Sequence, residues 1–270
     1  MVNWYRRNVL PERPPRAILI TGGSAGIGRA AALLFAAMGD QVAVVARREE
    51  PLDALAAEAE REKLPGRILP LVADVTDAAA LQRAVARALA EFNRLDVLVA
   101  GAGVGHRGAL ADAAWDDLDT VLRTNLDGVM HSIRAAVPAM RASGGGQIVL
   151  LSSVLAPVPA PYAAAYSASK AAIEALGRAL RGELRADRIH VTVLRVGQTD
   201  TEFASRRLGQ PGRVATRWPT MSPEQAAGGI ARALERHPRV LTLRWIDSVF
   251  IWLGQRFPAL MDRLLSRIYG

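Results

Sequence analysis

Short runs of apolar, β-branched residues alternate along this chain with longer Ala/Leu/Arg segments whose apolar positions recur at helical spacing. The runs read as strands at Ala17 to Thr21, Gln41 to Ala46, Ile68 to Val72, Val97 to Ala100, Gln147 to Leu151, His190 to Arg195 and Val240 to Leu243. Helices are expected between them near Ile27 to Met38, Leu52 to Glu62, Ala78 to Phe92, Trp115 to Arg141, Tyr162 to Arg185 and Pro223 to Glu235. The strands are almost continuously apolar, as strands covered on both faces are. Strict alternation with right-handed crossovers then gives an α/β architecture: a Rossmann-like, doubly wound, mostly parallel seven-stranded sheet with helices on both faces. Its ligand crevice is expected at the carboxyl ends of the strands. The pattern divides the chain into an N-terminal arm (1–15), one domain (16–243) with a substrate lid near 198–222, and a C-terminal extension (244–270).

The first strand runs into Thr21-Gly-Gly-Ser-Ala-Gly-Ile-Gly28 and then into an Ala/Leu helix. Glycines permit the tight turn there, and the helix N-terminus offers N–H groups and a positive dipole end to a pyrophosphate. The second strand ends at Ala46, followed by Arg47 and Arg48, where such a fold meets the adenosine ribose. A carboxylate there would suit the 2′-hydroxyl of NAD, and arginine suits the 2′-phosphate of NADP, so NADP(H) is expected and NAD(H) is the alternative. Asp74 after the third strand is placed to accept from the adenine amino group; Asp74 or Thr76 as a cap of the next helix is the competing reading, and both can hold.

One Ala-rich helical run contains Tyr166-Ser-Ala-Ser-Lys170. Positions four apart share a helix face with a rise of about 6 Å, so phenol and ammonium can approach one bound molecule. A nearby positive charge favours the phenolate, and a shift of about 2 units corresponds to roughly 2.7 kcal/mol. Only Lys63 and Lys170 are lysines in a chain that otherwise uses arginine, which sets Lys170 apart.

Composition narrows the classes. A chain of 270 residues, half of them hydrophobic, fits one α/β domain with additions. It has no cysteine, so disulfides and cysteine-ligated metals are excluded, and no metal centre is expected. The net charge of +8 raises the possibility of a polyanion partner, but arginines alternate with carboxylates on expected helix exteriors, as at Arg178, Arg181, Glu183 and Arg185, so no nucleic acid is expected. No run approaches the roughly 18 apolar residues of a membrane span. The N-terminus, with Trp4, Arg6, Arg7, Pro11, Pro14 and Pro15, lacks a secretory signal pattern and reads as a loose or docking arm, which makes a cytoplasmic protein the default.

From Arg16 to Leu243 the chain resembles the short-chain dehydrogenase/reductase family in its common single-domain form. The resemblance rests on the Thr21 to Gly28 turn, Asp74, Ala102-Gly103, Asn125, Ser153, Tyr166 with Lys170 thirteen and seventeen positions beyond Ser153, and Gly197 with Thr201. It implies that Tyr166 is the catalytic acid/base, that Ser153 orients the substrate carbonyl, and that Lys170 holds the nicotinamide ribose and lowers the Tyr166 pKa. Asn125 would sit at a helix interruption and hold a water linking Lys170 to solvent. The implied cofactor contacts are Gly22, Ser24, Gly26, Ile27, Gly28, Arg47, Asp74, Val75, Ala102, Tyr166, Lys170, Val196, Thr199 and Thr201. Ser152 rivals Ser153 and loses on spacing. Two departures stand out: Ala100-Gly101-Ala102-Gly103 where the family often has Asn-Asn-Ala-Gly, and Val196-Gly197 where it has Pro-Gly. The first removes side-chain braces and the second a stiff turn. Family members usually pair through the two long helices, so a homodimer or homotetramer is expected.

The stretch from Thr201 to Met221 reads as a lid, with Arg206, Arg207, Gln210-Pro211-Gly212 and Trp218-Pro219. Arg206 and Arg207 either meet an anionic group or face solvent. Beyond Leu243, Trp245, Val249, Phe250, Ile251, Trp252, Leu253, Leu260, Met261, Leu264, Leu265 and Ile268 make an amphipathic segment broken at Pro258. Core or subunit packing, a lid over an apolar substrate pocket, and contact with a membrane surface compete for it. The leading function is an NADP(H)-dependent oxidoreductase interconverting a carbonyl and an alcohol, with a small-molecule substrate expected to be bulky and apolar, such as a lipid, sterol or aromatic ketone. A non-catalytic dinucleotide-binding regulator and a lipid-surface protein are the alternatives.

Overall fold

The computed structural model describes residues 13–209 and 219–269. Trp4, Arg6, Arg7 and Pro11 of the expected arm lie outside the described residues, as do Gln210, Pro211, Gly212 and Trp218 of the expected lid. Strands β1 (Ala17–Thr21), β2 (Gln41–Ala46), β3 (Arg67–Val72), β4 (Val97–Ala100), β5 (Gly146–Ser153), β6 (Ile189–Val196) and β7 (Val240–Thr242) form one sheet in the order β3-β2-β1-β4-β5-β6-β7. Every neighbouring pair is parallel, so the sheet is more uniform than the mostly parallel one expected. The order reverses between β1 and β4, where Thr21 lies in register with Val45 of β2 and Ala100 of β4. A crevice opens at such a reversal because successive helices leave to opposite faces.

The apolar strands are divided between two cores by the period of two. Leu19, Val45, Leu98 and Leu150 meet helices α3 (Ala78–Phe92), α5 (Gly128–Ala142) and α6 (Ala164–Glu183) on one face. Ile18, Val44, Val99 and Val149 meet α1 (Gly26–Ala37), α2 (Glu49–Arg61) and α7 (Pro223–Arg236) on the other. Each fully buried aliphatic side chain contributes about 1.5–3 kcal/mol, so the two layers fix the strand ends that carry the site. Arg13 belongs to this domain rather than to an arm: its guanidinium forks onto buried Asp40 at 2.6 and 2.5 Å, beside Arg16.

Three boundaries differ from the sequence pattern. β5 continues two residues past Leu151, which pairs Ser152 and Ser153 with Arg195 and Val196. The long helix expected over Trp115 to Arg141 is α4 (Trp115–Leu122), a π turn over Arg123–Asp127 and then α5. An apolar periodicity survives a single π turn, which is why the pattern read as continuous. Tyr162 adopts φ 62° and stands outside α6, whose first residue is Ala164.

The C-terminal segment forms α8 (Trp245–Arg256) and α9 (Pro258–Tyr269), separated at Pro258 as the sequence indicated. Ile251, Met261 and Leu265 build a small cluster with Val158 in the segment after β5. A Cβ at Gly254 would come within 2.5 Å of Val158, so α8 approaches that segment as closely as glycine allows. The root of α8 is fixed by Arg244, which grips buried Asp247 at 2.8 and 2.6 Å and donates to the carbonyl of Pro219. No helix among the described residues is long and apolar enough to cross a membrane.

Candidate active site

The carboxyl ends of the strands enclose a cavity of about 820 Å³. Every residue assigned above to the cofactor lines it, as do Ser153, Tyr166 and Lys170. One end is made by the glycine turn. Gly22 has φ 77°, and a Cβ there would come within 2.6 Å of the Ala102 backbone, so the turn and the segment after β4 touch only because this position is glycine. The Thr21 hydroxyl accepts from the N–H groups of Gly101 and Ala102 at 3.2 and 3.4 Å, which replaces bracing that the Ala100-Gly101 departure removed. α1 begins behind the turn without a side-chain cap and without an acidic residue in its first turn. Those N–H groups and the dipole suit a bound anion, which no carboxylate competes with.

Arg47 is exposed at the adenosine end, 4.0 Å from the carboxylate of Asp74. Asp74 accepts from the Thr76 N–H and hydroxyl, both at 2.9 Å. The capping alternative for Asp74 or Thr76 is not what the fold uses: Asp77 caps α3 by accepting from Ala79 and Ala80. The reason is geometric, because the N-cap must directly precede the helix. Val75 is buried beside the same wall, and its carbonyl meets His131 Nδ1 at 3.1 Å.

At the other end β5 presents Ser153 and α6 presents Tyr166 and Lys170. The Ser153 hydroxyl accepts from the N–H of Leu155 at 3.2 Å and lies beside the Tyr166 phenol, whose ionised form it favours. Ser152, which also lines the cavity, is buried and donates its hydroxyl to the Lys170 carbonyl at 3.2 Å. The Lys170 ammonium is buried and donates to the Leu151 carbonyl at 2.9 Å. Burial pushes it down to about 8. Burial also raises the Tyr166 phenol above its ordinary value, opposed by the Ser153 hydrogen bond and by the charge of Arg207.

The Lys170 ammonium stands 5.8 Å from the centroid of the Tyr166 ring, held by a strand carbonyl, and the Arg207 charge from the lid favours the phenolate.

Asn125 lies in the π turn, fully buried. Its side chain accepts from the Val104 N–H at 2.8 Å and donates to the Val104 carbonyl at 2.9 Å and to Ser169 at 3.0 Å. Ser169 in turn donates to the Tyr166 carbonyl at 2.7 Å. Asn125 is therefore a brace between the segment after β4 and the helix that carries Tyr166 and Lys170. Thr201 closes over the glycine turn, where a Cβ on Gly26 would meet its methyl at 3.1 Å. Val196 and Thr199 line the wall between them.

Residues 16–210 match the family model for short chain dehydrogenase. The chain belongs to the short-chain dehydrogenase family. This family membership makes it an oxidoreductase acting on alcohol or carbonyl groups. It is 30% identical over 276 residues to dehydrogenase/reductase SDR family member 7B of Bos taurus, covering 98% of this chain and 84% of that relative. Among solved structures it resembles the alcohol dehydrogenase of Thermococcus sibiricus complexed with 5-hydroxy-NADP, with 27% identity, a TM-score of 0.75, and coverage of 86% of this chain and 97% of that one. It also resembles the 3-ketoacyl-(acyl-carrier-protein) reductase of Brucella melitensis complexed with NADH, with 26% identity, a TM-score of 0.75, and coverage of 84% and 94%.

Beyond the family's motif residues, the fold brings up side chains that no motif announced. Phe203 packs its ring 5.8 Å from that of Tyr166. Arg107 is buried, with its guanidinium 4.7 Å over the ring of Tyr269. Val249, Leu253, Met261 and Leu265 of α8 and α9 form the far wall. Their apolar spacing was visible in the sequence, but the surface it covers was not.

Proposed function

We propose that this short-chain dehydrogenase is an NADP(H)-dependent reductase of a small carbonyl compound with an apolar body, working with Tyr166 as the proton donor. The observation that carries the reading is the convergence of Ser153, Tyr166 and Lys170 on one cavity that also takes in the α1 N-terminus and apolar side chains of α8 and α9. The glycine turn would hold the pyrophosphate, Arg47 the 2′-phosphate, Asp74 the adenine and Lys170 the nicotinamide ribose. Preference for NADP(H) over NAD(H) is supported by Arg47 and Arg48 and by the lack of a carboxylate at Ala46 to Arg48. When bound, the cofactor supplies the hydride.

The chain's own residues do the rest. Ser153 donates to the substrate oxygen and fixes the carbonyl beside the phenol. Tyr166 keeps its proton at neutral pH, as an ordinary phenol does, and burial strengthens that hold, so it can donate to the oxygen as negative charge develops there. The described ends of the lid are held to the cavity rim: Leu208 donates to the Gly105 carbonyl and Arg107 to the Leu208 carbonyl, both at 2.9 Å, and Met221 donates to the Gln198 carbonyl at 3.0 Å. A complete and assembled Asn125, Ser153, Tyr166 and Lys170 set argues against a regulator without catalysis.

The outer faces of α8 and α9 support a second element of the proposal. Trp245, Trp252 and Leu260 are exposed at 78%, 60% and 64%, with Arg256, Arg263 and Arg267 among them. Aromatic and basic side chains on one surface suit the boundary of a lipid bilayer, so we assign the enzyme to the cytoplasm with peripheral membrane contact. Subunit pairing through α4, α5 and α6 is supported by the exposed Trp115 and Leu122.

The test is binding followed by turnover. NADPH should bind with a fluorescence change, and Tyr166→Phe should abolish reduction of a ketone panel while leaving that binding nearly intact. Tight binding of NADPH with no turnover of any carbonyl, in both directions, would return the protein to the regulatory reading.

A further inference from the structure

Two arginines adjacent in the sequence both line the cavity but differ in exposure and partner. Arg206 forms an ion pair with Glu202, one helical turn earlier, at the exposed surface. Arg207 is half-buried in the cavity wall, where a Cβ on Gly105 would come within 2.9 Å of its Cγ and 3.1 Å of Phe203. Phe203 leans on Tyr166, and the Arg207 charge acts both on the Tyr166 phenol and on the guanidinium of Arg107.

Among the described residues no carboxylate forms an ion pair with Arg207. Asp200 and Glu202 also line the cavity, but Glu202 is paired with Arg206, and from Phe203 to Met221 the sequence contains no Asp or Glu. A guanidinium taken partly out of water beside another cation carries a solvation and repulsion cost that a bound anion would offset. The same cavity is lined by apolar side chains of α8 and α9. The lining thus combines Arg207, close to Arg107 and to the Tyr166 phenol, with an apolar wall.

We propose that the substrate is an amphipathic carbonyl compound with an oxyanion, carboxylate or phosphate, that Arg207 binds while its apolar chain lies along the inner faces of α8 and α9. This rests on the reductase reading and adds to it the substrate class and the residue that selects it. Lys170 serves the nucleotide side of Tyr166, and Arg207 serves the substrate side.

The experiment measures binding without turnover. The full-length protein is titrated calorimetrically with decanoate, decyl phosphate and methyl decanoate, and NADPH affinity is measured separately by fluorescence. The acid or the phosphate should bind at least about tenfold more tightly than the ester, the scale of one charge-assisted hydrogen-bonded contact. Arg207→Gln should erase that preference and Arg207→Lys restore part of it, with thermal melts confirming that both fold. Arg206→Gln, at the surface pair, should retain it. Preference for decanoate or for decyl phosphate identifies which oxyanion the site takes. Equal binding of ester and anions by the wild type, or an unchanged preference in Arg207→Gln, overturns the proposal. Loss of NADPH binding by the wild type would instead overturn the reductase reading, so the two failures are distinct.

Discussion

Lys170 donates its ammonium proton to the carbonyl of Leu151 at 2.9 Å, so the helix that carries the catalytic phenol is tied to the end of the central strand β5 by a buried charge. That charge is costly. Burial lowers the Lys170 pKa from 10.5 to about 8, which means the unfolded chain binds a proton that the folded one has released between those values. Stability should therefore rise with pH from about 8 toward 10.5, by up to about 3 kcal/mol in the limit of the full shift. Lys170→Met should show no such rise. Denaturant titrations of both proteins between pH 7 and pH 10 check it; above that range the raised Tyr166 phenol begins to ionise in the unfolded chain first and works in the opposite direction.

The protonated phenol sets the pH dependence of catalysis. With Tyr166 raised, kcat/KM for carbonyl reduction should stay level through neutral pH and fall only in the alkaline range, and alcohol oxidation should climb with pH. Tyr166→Phe should lower reduction by about 10²–10⁴-fold, the usual contribution of a positioned acid. Steady-state rates in both directions across pH test the pair of slopes.

Cofactor choice should respond to Arg47. Arg47→Glu should weaken NADPH binding about ten- to a hundredfold through loss of a charge-assisted contact and gain of repulsion, with a much smaller effect on NADH. Fluorescence titration with both nucleotides reads the ratio.

Asn125 holds both polar groups of Val104 and the hydroxyl of Ser169 from a fully buried position. Asn125→Ala leaves the Val104 N–H and carbonyl without that partner, at about 1–3 kcal/mol for each buried group left unpaired. Urea unfolding should show the loss, and kcat should fall because α6 is no longer braced against the segment after β4.

The Arg244–Asp247 pair fixes the root of the C-terminal helices, with Asp247 almost fully buried. Asp247→Ala should cost about 3–5 kcal/mol, the range for removing one partner of a buried pair. Limited proteolysis should then cut at α8 before it cuts the central domain.

Much of this was legible from the chain. The strand and helix alternation gave the sheet and its two covered faces because apolar periodicity reports burial directly. The Thr21 to Gly28 turn, Arg47, Asp74, Ser153, Tyr166 and Lys170, singled out by their order along the chain, all line one cavity because each stands at or near the carboxyl end of a strand or on the helix beside it. The π turn around Asn125 was not marked by any break in periodicity. The Leu151 carbonyl as acceptor for Lys170 was not legible, because helical spacing places Cα atoms and not the acceptor that an ammonium reaches.

The sequence alone determined the architecture, the glycine turn and the candidate set Ser153, Tyr166 and Lys170, because those depend on local order and on side-chain chemistry. Only the tertiary structure decided which of two neighbouring arginines pairs with Glu202 and which is half-buried beside Phe203, and that the C-terminal helices wall the cavity. Both are questions of long-range packing: Arg207 is placed by Gly105 and Phe203, and α8 by Val158, which lies 96 positions before Gly254. No local pattern encodes such a distance, since it arises only when the sheet has brought the strand ends together.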